Sequence, residues 1–319
     1  MAQITRQDRI LGALLGVHAG DSLGATMEFQ SWTSIRETHP NGLRDIVGGG
    51  LFQWPAGHAT DDTDLTRAIL LAYRDTSRCL YTPTDVAVVA GTYMLDWLDG
   101  HWPGRTPGVR PRDAGVATLR GLARFRASRD PARAGAGHGQ RGNGSLMRCV
   151  PTGALVMDRA ARMRDSARLS AITHDDAVCV VACVAYNEMV AVLVEGGSVR
   201  RAVEEGVRVA RDGCTLSLTE LLSQDPRHSQ HLVGGGAGYV LDSLLLAVAA
   251  LNDERPSLED VLGDVVRVGM DTDSNAAIAG GLLGAMRGMQ GIPQRWIERL
   301  QFAEEFTEVV TELGRGRGF

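Results

Sequence analysis

Two short acidic segments contain the residues with the clearest chemical potential. The first places Asp271, Asp273 and the hydroxyl of Ser274 within four consecutive positions. It directly precedes the apolar, glycine-rich run 276–285, whose helical character puts the acids at a helix N-terminus. One aspartate or serine is enough to cap a helix, so this segment exceeds that need. Like charges this close together are unfavourable unless a cation lies between them.

The second segment repeats this signal far upstream, where Thr60, Asp61 and Asp62 precede another apolar run. Together the two segments supply hard oxygen ligands and neither histidine nor cysteine, which favours Mg²⁺ or Mn²⁺ over Zn²⁺. Four carboxylates, or five with Glu28, suit two divalent cations better than one. Two coincidental helix caps are the competing interpretation, and Glu28 is equally compatible with a solvated surface position.

Three further positions could contact an anion or a substrate. The glycine-flanked Asn143 and Ser145 form a loop that could present backbone N–H groups to an anion, although ordinary turn chemistry explains such a loop more often. His174 precedes the apolar run 177–194 and could donate to a phosphate or help to cap a helix. Asp113 is by default the N-cap of a helix that continues through residue 125.

Helical periodicity dominates the rest of the chain, and strand alternation is almost absent. No fixed repeat and no long linker divides the sequence, so the pattern predicts one all-α domain of many helices over residues 1–319. The predicted helices that matter most for positioning the acids cover residues 8–23, 65–73, 84–98, 113–125, 177–194, 198–211, 240–251, 276–285 and 294–313, with a further helix starting at residue 257.

Composition excludes several functions. The 319 residues are 44% hydrophobic and 22% charged, which is ordinary for a soluble globular enzyme. A net charge of −5 argues against a nucleic-acid or anionic-membrane partner. The chain has no lysine, which excludes Schiff-base and P-loop lysine chemistry. Its five cysteines form no CxxC pair, which fits a reducing cytoplasm.

The acidic segments belong to a larger set of motifs that resembles the ADP-ribosylglycohydrolases, most closely their dinitrogenase-reductase-activating glycohydrolase branch. The matching stretches follow the order typical of that family and span nearly the whole chain: residues 8–13, 20–29, 57–63, 142–148, 172–174, 238–242 and 271–274. The resemblance implies an all-α fold of orthogonally packed helices around a dinuclear Mg²⁺ or Mn²⁺ site.

The resemblance also implies individual roles. It implies metal ligation by Thr60, Asp61, Asp62, Asp271, Asp273 and Ser274, and contacts to ADP-ribose from Asn143, Gly144, Ser145, His174 and Tyr239. It implies catalytic work by Asp62, by Asp113 near the scissile bond and by Glu28 beside the metals. Two positions depart from the family pattern: Ser274 replaces the usual threonine, and Val116-Ala117 replaces a common Asn-Thr pair.

The resemblance therefore implies a metal-dependent hydrolase that removes ADP-ribose from modified protein side chains, with arginine as the expected attachment site. The partners are then ADP-ribose and an ADP-ribosylated protein. Hydrolysis of O-linked ADP-ribose, on serine or a small molecule, and non-catalytic ADP-ribose binding are the alternatives. A terpene-synthase-like lyase would also be all-α, but aromatic content is only 5% and the spacing of Asp61, Asp62 and Asp64 is not DDxxD.

Overall fold

The computed structural model of the chain describes residues 4–78, 85–102, 105–213 and 238–317. Within these ranges it is all-helical, with two isolated β-bridges and no strand, which confirms the predicted fold class. The α-helices of these ranges are α1 (Arg6–Gly24), α2 (Trp32–Thr38), α3 (Asp61–Arg78), α4 (Val86–Asp99), α5 (Val116–Ser128), α6 (Val150–Leu155), α7 (Arg159–Ala171), α8 (Ala177–Val194), α9 (Val199–Asp212), α10 (Val240–Leu251), α11 (Leu258–Val266), α12 (Thr272–Arg287), α13 (Gln294–Ile297) and α14 (Ala303–Arg317).

Most helix starts follow the side chains that the sequence offers as caps. Ser198 accepts the N–H of Arg201 before α9, and Ser257 accepts the N–H of Asp260 before α11. Asp85 caps α4, whereas Thr84, the predicted start of that helix, lies outside the described residues. Local capping chemistry therefore sets these boundaries.

The predicted C-terminal helix over residues 294–313 is wrong, because the chain breaks it into α13 and α14. At the break, the N–H of Gln301 donates to the Gly57 carbonyl at 2.9 Å. The next N–H, of Phe302, donates to Nε2 of His18 at 3.3 Å. These tertiary bonds replace helical ones, and they allow Phe302 to pack beside the buried His18 ring.

An antiparallel contact between α1 and α12 forms the centre of the fold. We call it the glycine seam: every fourth residue of α1 meets the backbone of α12 in the pairs Gly12–Gly284, Gly16–Gly280, Gly20–Ala276 and Gly24–Thr272. A Cβ at Gly16 would lie only 2.1 Å from the Gly280 carbonyl oxygen, so no side chain fits there. The seam brings the end of α1 beside the start of α12, where the acids lie.

Helix α8 is a long apolar helix of the core. Its 18 residues have the length and hydropathy of a membrane-crossing helix, but two-thirds of them are buried in the fold, as in the core helices of soluble proteins. Its Glu188 is 2% exposed and forms an ion pair with Arg162, whose Nε lies 2.6 Å from Oε1. A second arginine, Arg159, lies 3.1 Å from the same carboxylate.

Candidate metal and ligand site

The Thr60–Asp62 segment is fixed by a residue on α1 that the sequence pattern did not identify as functional. Oδ2 of the buried Asp21 accepts the N–H of Thr60 at 3.1 Å, the N–H of Thr63 at 3.2 Å and the Thr63 hydroxyl. Asp21 thus caps α3 from a neighbouring helix and fixes the orientation of Asp61 and Asp62 in its first turn. The available signal was an acid among the mostly apolar and small residues 10–24 of α1.

The two acidic segments meet, as their shared chemistry predicts. The Ser274 hydroxyl donates to Oδ2 of Asp62 at 3.3 Å, and the Thr60 hydroxyl lies 3.4 Å from the same oxygen. Asp271 occupies the N-cap position of α12, but its side chain makes no capping hydrogen bond. The interpretation of this segment as a mere cap therefore fails, and its carboxylates face the other segment.

A third group of acids closes the cluster. Glu28, Asp113 and Asp273 each place a carboxylate oxygen within 4.8 Å of the other two, so these three residues could hold a metal ion. The expected capping role of Asp113 is wrong, because α5 begins only at Val116 with Gly115 as its N-cap. The Asp113 carboxylate is therefore available to the cluster.

Burial and mutual repulsion oppose ionisation of this cluster. Burial, followed by the charges of Asp113 and Asp271, raises the pKa of Glu28 to about 8. Burial also raises the pKa of Asp61, Asp62 and Asp273 well above the usual range, with the neighbouring carboxylates adding to the shift. Within the described residues the cluster contains no balancing lysine or arginine ion pair.

Four buried carboxylate oxygens have no hydrogen-bond donor within the described residues: Oδ1 of Asp21, Oε2 of Glu28, Oδ1 of Asp62 and Oδ1 of Asp273. A buried charged oxygen without a donor is costly, and divalent cations in the cluster would compensate such oxygens. The donor set is entirely oxygen, which fits a hard cation. The residues present therefore fit the metal-dependent chemistry that the sequence predicts.

Two residues with left-handed backbone conformations connect the segments that carry Glu28 and Asp271. Phe29 and Met270, which neighbour Glu28 and Asp271, both adopt left-handed conformations, with φ of 62° and 64°. The Phe29 N–H donates to the Met270 carbonyl at 2.7 Å, and the Met270 N–H donates to the Gln30 carbonyl at 2.8 Å. Such conformations persist where surrounding contacts enforce them, and here they fix the acids on either side.

The glycine-flanked loop lies directly beside the acids. Nδ2 of Asn143 donates to Oδ2 of Asp271 at 2.7 Å and to the Ser243 hydroxyl at 2.9 Å. The Asn143 N–H donates to the Gly238 carbonyl at 2.8 Å, which brings Tyr239 next to the loop at the start of α10. Asn143 and Tyr239, predicted from separate motifs, therefore border one site.

His174 lies against this loop as a neutral imidazole. Burial and then the charge of Arg148 lower its pKa to about 3. The Thr173 hydroxyl accepts from Arg148 at 2.7 Å and lies 2.8 Å from Nδ1 of His174. A Cβ at Gly144 would lie 2.8 Å from Cε1 and 3.3 Å from Nε2, so this edge of the ring lies against the loop. Asp176 caps α8, and the capping interpretation of His174 is therefore wrong.

The Ser145 side chain points into the protein. Its hydroxyl accepts from Ser170 at 3.0 Å and contacts the Cys183 thiol at 3.4 Å. In contrast, the backbone N–H groups of Gly144 and Ser145 have no acceptor among the described residues. Two consecutive N–H groups without acceptors can receive an anion, so the backbone of this loop is the part that could contact a ligand.

The remaining wall is the start of α5. The buried Thr118 hydroxyl would lie 3.3 Å from a Cβ at Gly144, which places this helix against the loop. Val116, at the position where the family pattern has asparagine, is 70% exposed. The departure from the family pattern therefore occurs at the rim of the site.

Comparisons with known proteins agree with this geometry. The sequence profile of the ADP-ribosylglycohydrolase family matches residues 2–318. The chain is 29% identical over 304 residues to the ADP-ribosyl-[dinitrogen reductase] glycohydrolase of Rhodospirillum rubrum, covering 93% of this chain and 92% of that protein. It is 30% identical over 314 residues to the ADP-ribosylarginine hydrolase Tri1 of Pseudomonas putida (strain GB-1), covering 96% of this chain and 78% of that protein.

A solved structure shares the fold over nearly its full length. It is described as an ADP-ribosylglycohydrolase-related protein complex and superimposes with a TM-score of 0.77 at 26% sequence identity. The match covers 98% of each chain. The all-α architecture and the sequence family therefore agree.

Proposed function

Because this chain belongs to the ADP-ribosylglycohydrolase family, whose enzymes hydrolyse glycosidic bonds, we propose that it releases ADP-ribose from the guanidinium group of modified arginines. The observation that carries this proposal is the buried set of carboxylate oxygens without donors beside a loop with free N–H groups. The carboxylate side of the site suits cations and ribose hydroxyls, and the loop side suits a diphosphate. The name of the P. putida relative, an ADP-ribosylarginine hydrolase, supports arginine as the attachment site, and that of the R. rubrum relative supports a protein substrate.

We propose that two Mg²⁺ or Mn²⁺ ions occupy the carboxylate side of the site. Their ligands would be Thr60, Asp61, Asp62, Asp271, Asp273 and Ser274, with Glu28 at the edge. When bound, such ions orient hydroxyl groups and lower the pKa of water. Asp21 would act indirectly in this site, because it positions the first turn of α3 through backbone N–H groups.

The protein's own residues would handle the acceptor and the protons. Hydrolysis adds water across the bond between ribose and nitrogen, so the leaving guanidine must gain a proton as the ribose carbon gains a hydroxyl. Glu28, at the edge of the metal site, can supply that proton. Asp113 can pair with the planar, cationic guanidinium and position it. Asp62, bonded to Ser274, would act on the water side.

ADP-ribose would bind along the loop side. Backbone N–H groups of Gly144 and Ser145 would receive the diphosphate, and the neutral imidazole of His174 lies against the same loop. Asn143 is held by Asp271 and Ser243 and would contact ribose. The half-buried Tyr239 ring is available to pack against ribose or adenine.

A direct test compares arginine-linked and serine-linked ADP-ribosyl peptides by kcat/KM, with and without a chelator. We expect preference for the arginine linkage and loss of turnover in chelator. Asp113→Asn should lower arginine-linked turnover more than serine-linked turnover, because a neutral oxygen leaving group gains less from a carboxylate. A preference for the serine linkage would favour the O-linked alternative, and binding without turnover would favour a non-catalytic binder.

The cellular setting is part of the same proposal. We place the protein in the cytoplasm with an ADP-ribosylated protein as its substrate. Cys149, Cys179 and Cys183 are buried and free, which is compatible with a reducing compartment, whereas Cys79 and Cys214 lie outside the described residues.

A further inference from the structure

The segment that includes α5 has a charge opposite to that of the whole protein. Residues 105–133 contain eight of the 33 arginines and only two carboxylates, Asp113 and Asp130, in a chain with net charge −5. Seven of these arginines are exposed, and six of the seven form no ion pair within the described residues. We call these six the arginine face: Arg110, Arg112, Arg120, Arg124, Arg129 and Arg133.

Most exposed arginines elsewhere in the described residues form ion pairs. Arg78 pairs with Glu312 at 2.6 Å, and Arg295 pairs with both Asp45 and Glu259 at 2.7 Å. Around α5, only Arg126 is matched in this way, by Asp99 at 2.7 Å. Unmatched like charges repel one another, so their concentration here is unfavourable in the isolated protein unless a negatively charged partner compensates for it.

Exposed apolar side chains occur in the same segment. Val109, Val116 and Leu119 are 52%, 70% and 40% exposed, three of the seven large apolar side chains that are exposed in the described residues. Helix α5 has 13 residues, so it extends about 20 Å. A surface of this length with apolar residues among arginines has the composition of a protein-binding site, in which arginine is enriched.

The position of α5 selects the occupant. Asp113, directly before the helix, shares the acidic cluster with Glu28, and Thr118 in its first turn borders the Gly144 loop. A protein whose ADP-ribose enters the site must therefore place its own surface over α5. We propose that the arginine face docks an acidic surface of the ADP-ribosylated protein, an inference that rests on the proposed function.

A nucleic acid is the other polyanion that such a surface could attract. The overall charge of −5 repels a long phosphate backbone, and the exposed residues of α5 between the arginines are Val116, Leu119 and alanines rather than the aromatic rings on which bases stack. The apolar component instead matches a folded protein partner.

The experiment uses two fluorescent peptides with one ADP-ribosylarginine each, flanked either by aspartates or by serines, together with free ADP-ribosylarginine. We expect kcat/KM for the aspartate-flanked peptide to exceed that for the serine-flanked one by about tenfold at low salt, the scale of several exposed ion pairs acting together. The advantage should shrink at high salt because exposed charges are screened. Free ADP-ribosylarginine should show neither effect.

The discriminating variant is Arg120→Glu with Arg133→Glu, since neither side chain makes a hydrogen bond or an ion pair within the described residues. It should remove the preference for aspartate flanks and leave turnover of free ADP-ribosylarginine unchanged. The matched control is Arg201→Glu with Arg211→Glu on α9, two exposed arginines that also lack an ion pair within the described residues. This control should keep the preference.

Fluorescence anisotropy with the unmodified peptides tests docking even if no probe is hydrolysed. Tighter binding of the aspartate-flanked peptide that Arg120→Glu with Arg133→Glu abolishes supports the docking surface. Equal binding and equal kcat/KM for both flanks overturn it, as does binding of duplex DNA that the variant loses while peptide preference persists. Failure to hydrolyse any ADP-ribosyl probe instead contradicts the proposed function.

Discussion

The protein buries carboxylates in two regions, and it supplies all of their oxygens with donors in only one of them. On α8, Glu188 faces Arg162 and Arg159, and both of its oxygens lie within 3.1 Å of a guanidinium nitrogen. In the acidic cluster, Glu28, Asp62 and Asp273 are just as buried, yet each retains an oxygen without a donor. The carboxylate of the first region is fully paired within the chain, whereas the second region leaves oxygens that a cation could bind.

Asp64 shows that acids of the same helix can differ in whether their carboxylate oxygens have hydrogen-bond donors. It lies two residues after Asp62, but its carboxylate receives the indole N–H groups of Trp97 at 2.8 Å and Trp102 at 3.1 Å. Arg105 adds an ion pair at 2.8 Å. Satisfied carboxylates hold helices together, whereas unsatisfied ones on the same helix are available for chemistry.

The largest expected effect comes from removing one charge of the cluster without changing its shape. Asp62→Asn should lower kcat/KM by at least about 10³-fold, since a metal ligand and a group facing water are lost together. The metal-free variant should be as stable as the parent or more stable, because one repulsive charge has gone. Kinetics and urea unfolding in chelator measure both, and a destabilised metal-free variant would contradict the repulsion.

The same chemical change in the other region should have the opposite consequence. Glu188→Gln leaves the buried Arg162 without its anion and should lower the free energy of unfolding by about 3–5 kcal/mol. Its metal affinity and kcat/KM should stay close to those of the parent. Urea unfolding and metal titration test this, and an unchanged midpoint would remove the distinction between the regions.

Metal binding should stabilise one region only. At a concentration of Mn²⁺ a hundred times its Kd, the free energy of unfolding should rise by about 2.7 kcal/mol. Glu188→Gln should keep this increment in full, and Asp62→Asn should lose most of it. Thermal unfolding with graded Mn²⁺ provides the measurement, and equal increments in both variants would show that the cluster is not the binding site.

The smallest effect concerns pH. In the folded, metal-free protein the pKa of Glu28 rises from 4.5 to about 8. The folded chain therefore holds a proton that the unfolded chain releases, so this contribution to stability is full below about pH 4.5 and is lost as pH rises through 8. Unfolding in chelator across this window should show stability falling with pH, and Glu28→Gln should flatten the slope. A rising slope would contradict the raised pKa.

The sequence predicted what local chemistry controls. The apolar run 177–194 and the Ser198 cap gave α8 and the start of α9 directly, and the paired acids with their hydroxyls indicated where two chain segments meet. Partners from distant elements were not predictable in this way. The break before Phe302 depends on His18, and the role of Asp21 depends on α3.

The electrostatic state of the site was also beyond the sequence. His174 is neutral because burial and the charge of Arg148 together lower its pKa. Neither its burial nor its distance from Arg148 can be read from a pattern of residues. The inward orientation of the Ser145 hydroxyl follows in the same way from Ser170 and Cys183, which lie on two other helices. Residue types predicted that the two acidic segments lie together, and three-dimensional packing decided which atom of each neighbouring side chain faces them.

The glycine seam also bears on how the protein is made. It joins helix Arg6–Gly24 to helix Thr272–Arg287, which the ribosome synthesises much later. A nascent chain therefore carries Glu28, Asp61 and Asp62 for a long time before Asp271 and Asp273 are added to the cluster. Contacts this distant in sequence form late and slowly. A translation product that stops before residue 271 thus lacks one of the two acidic segments.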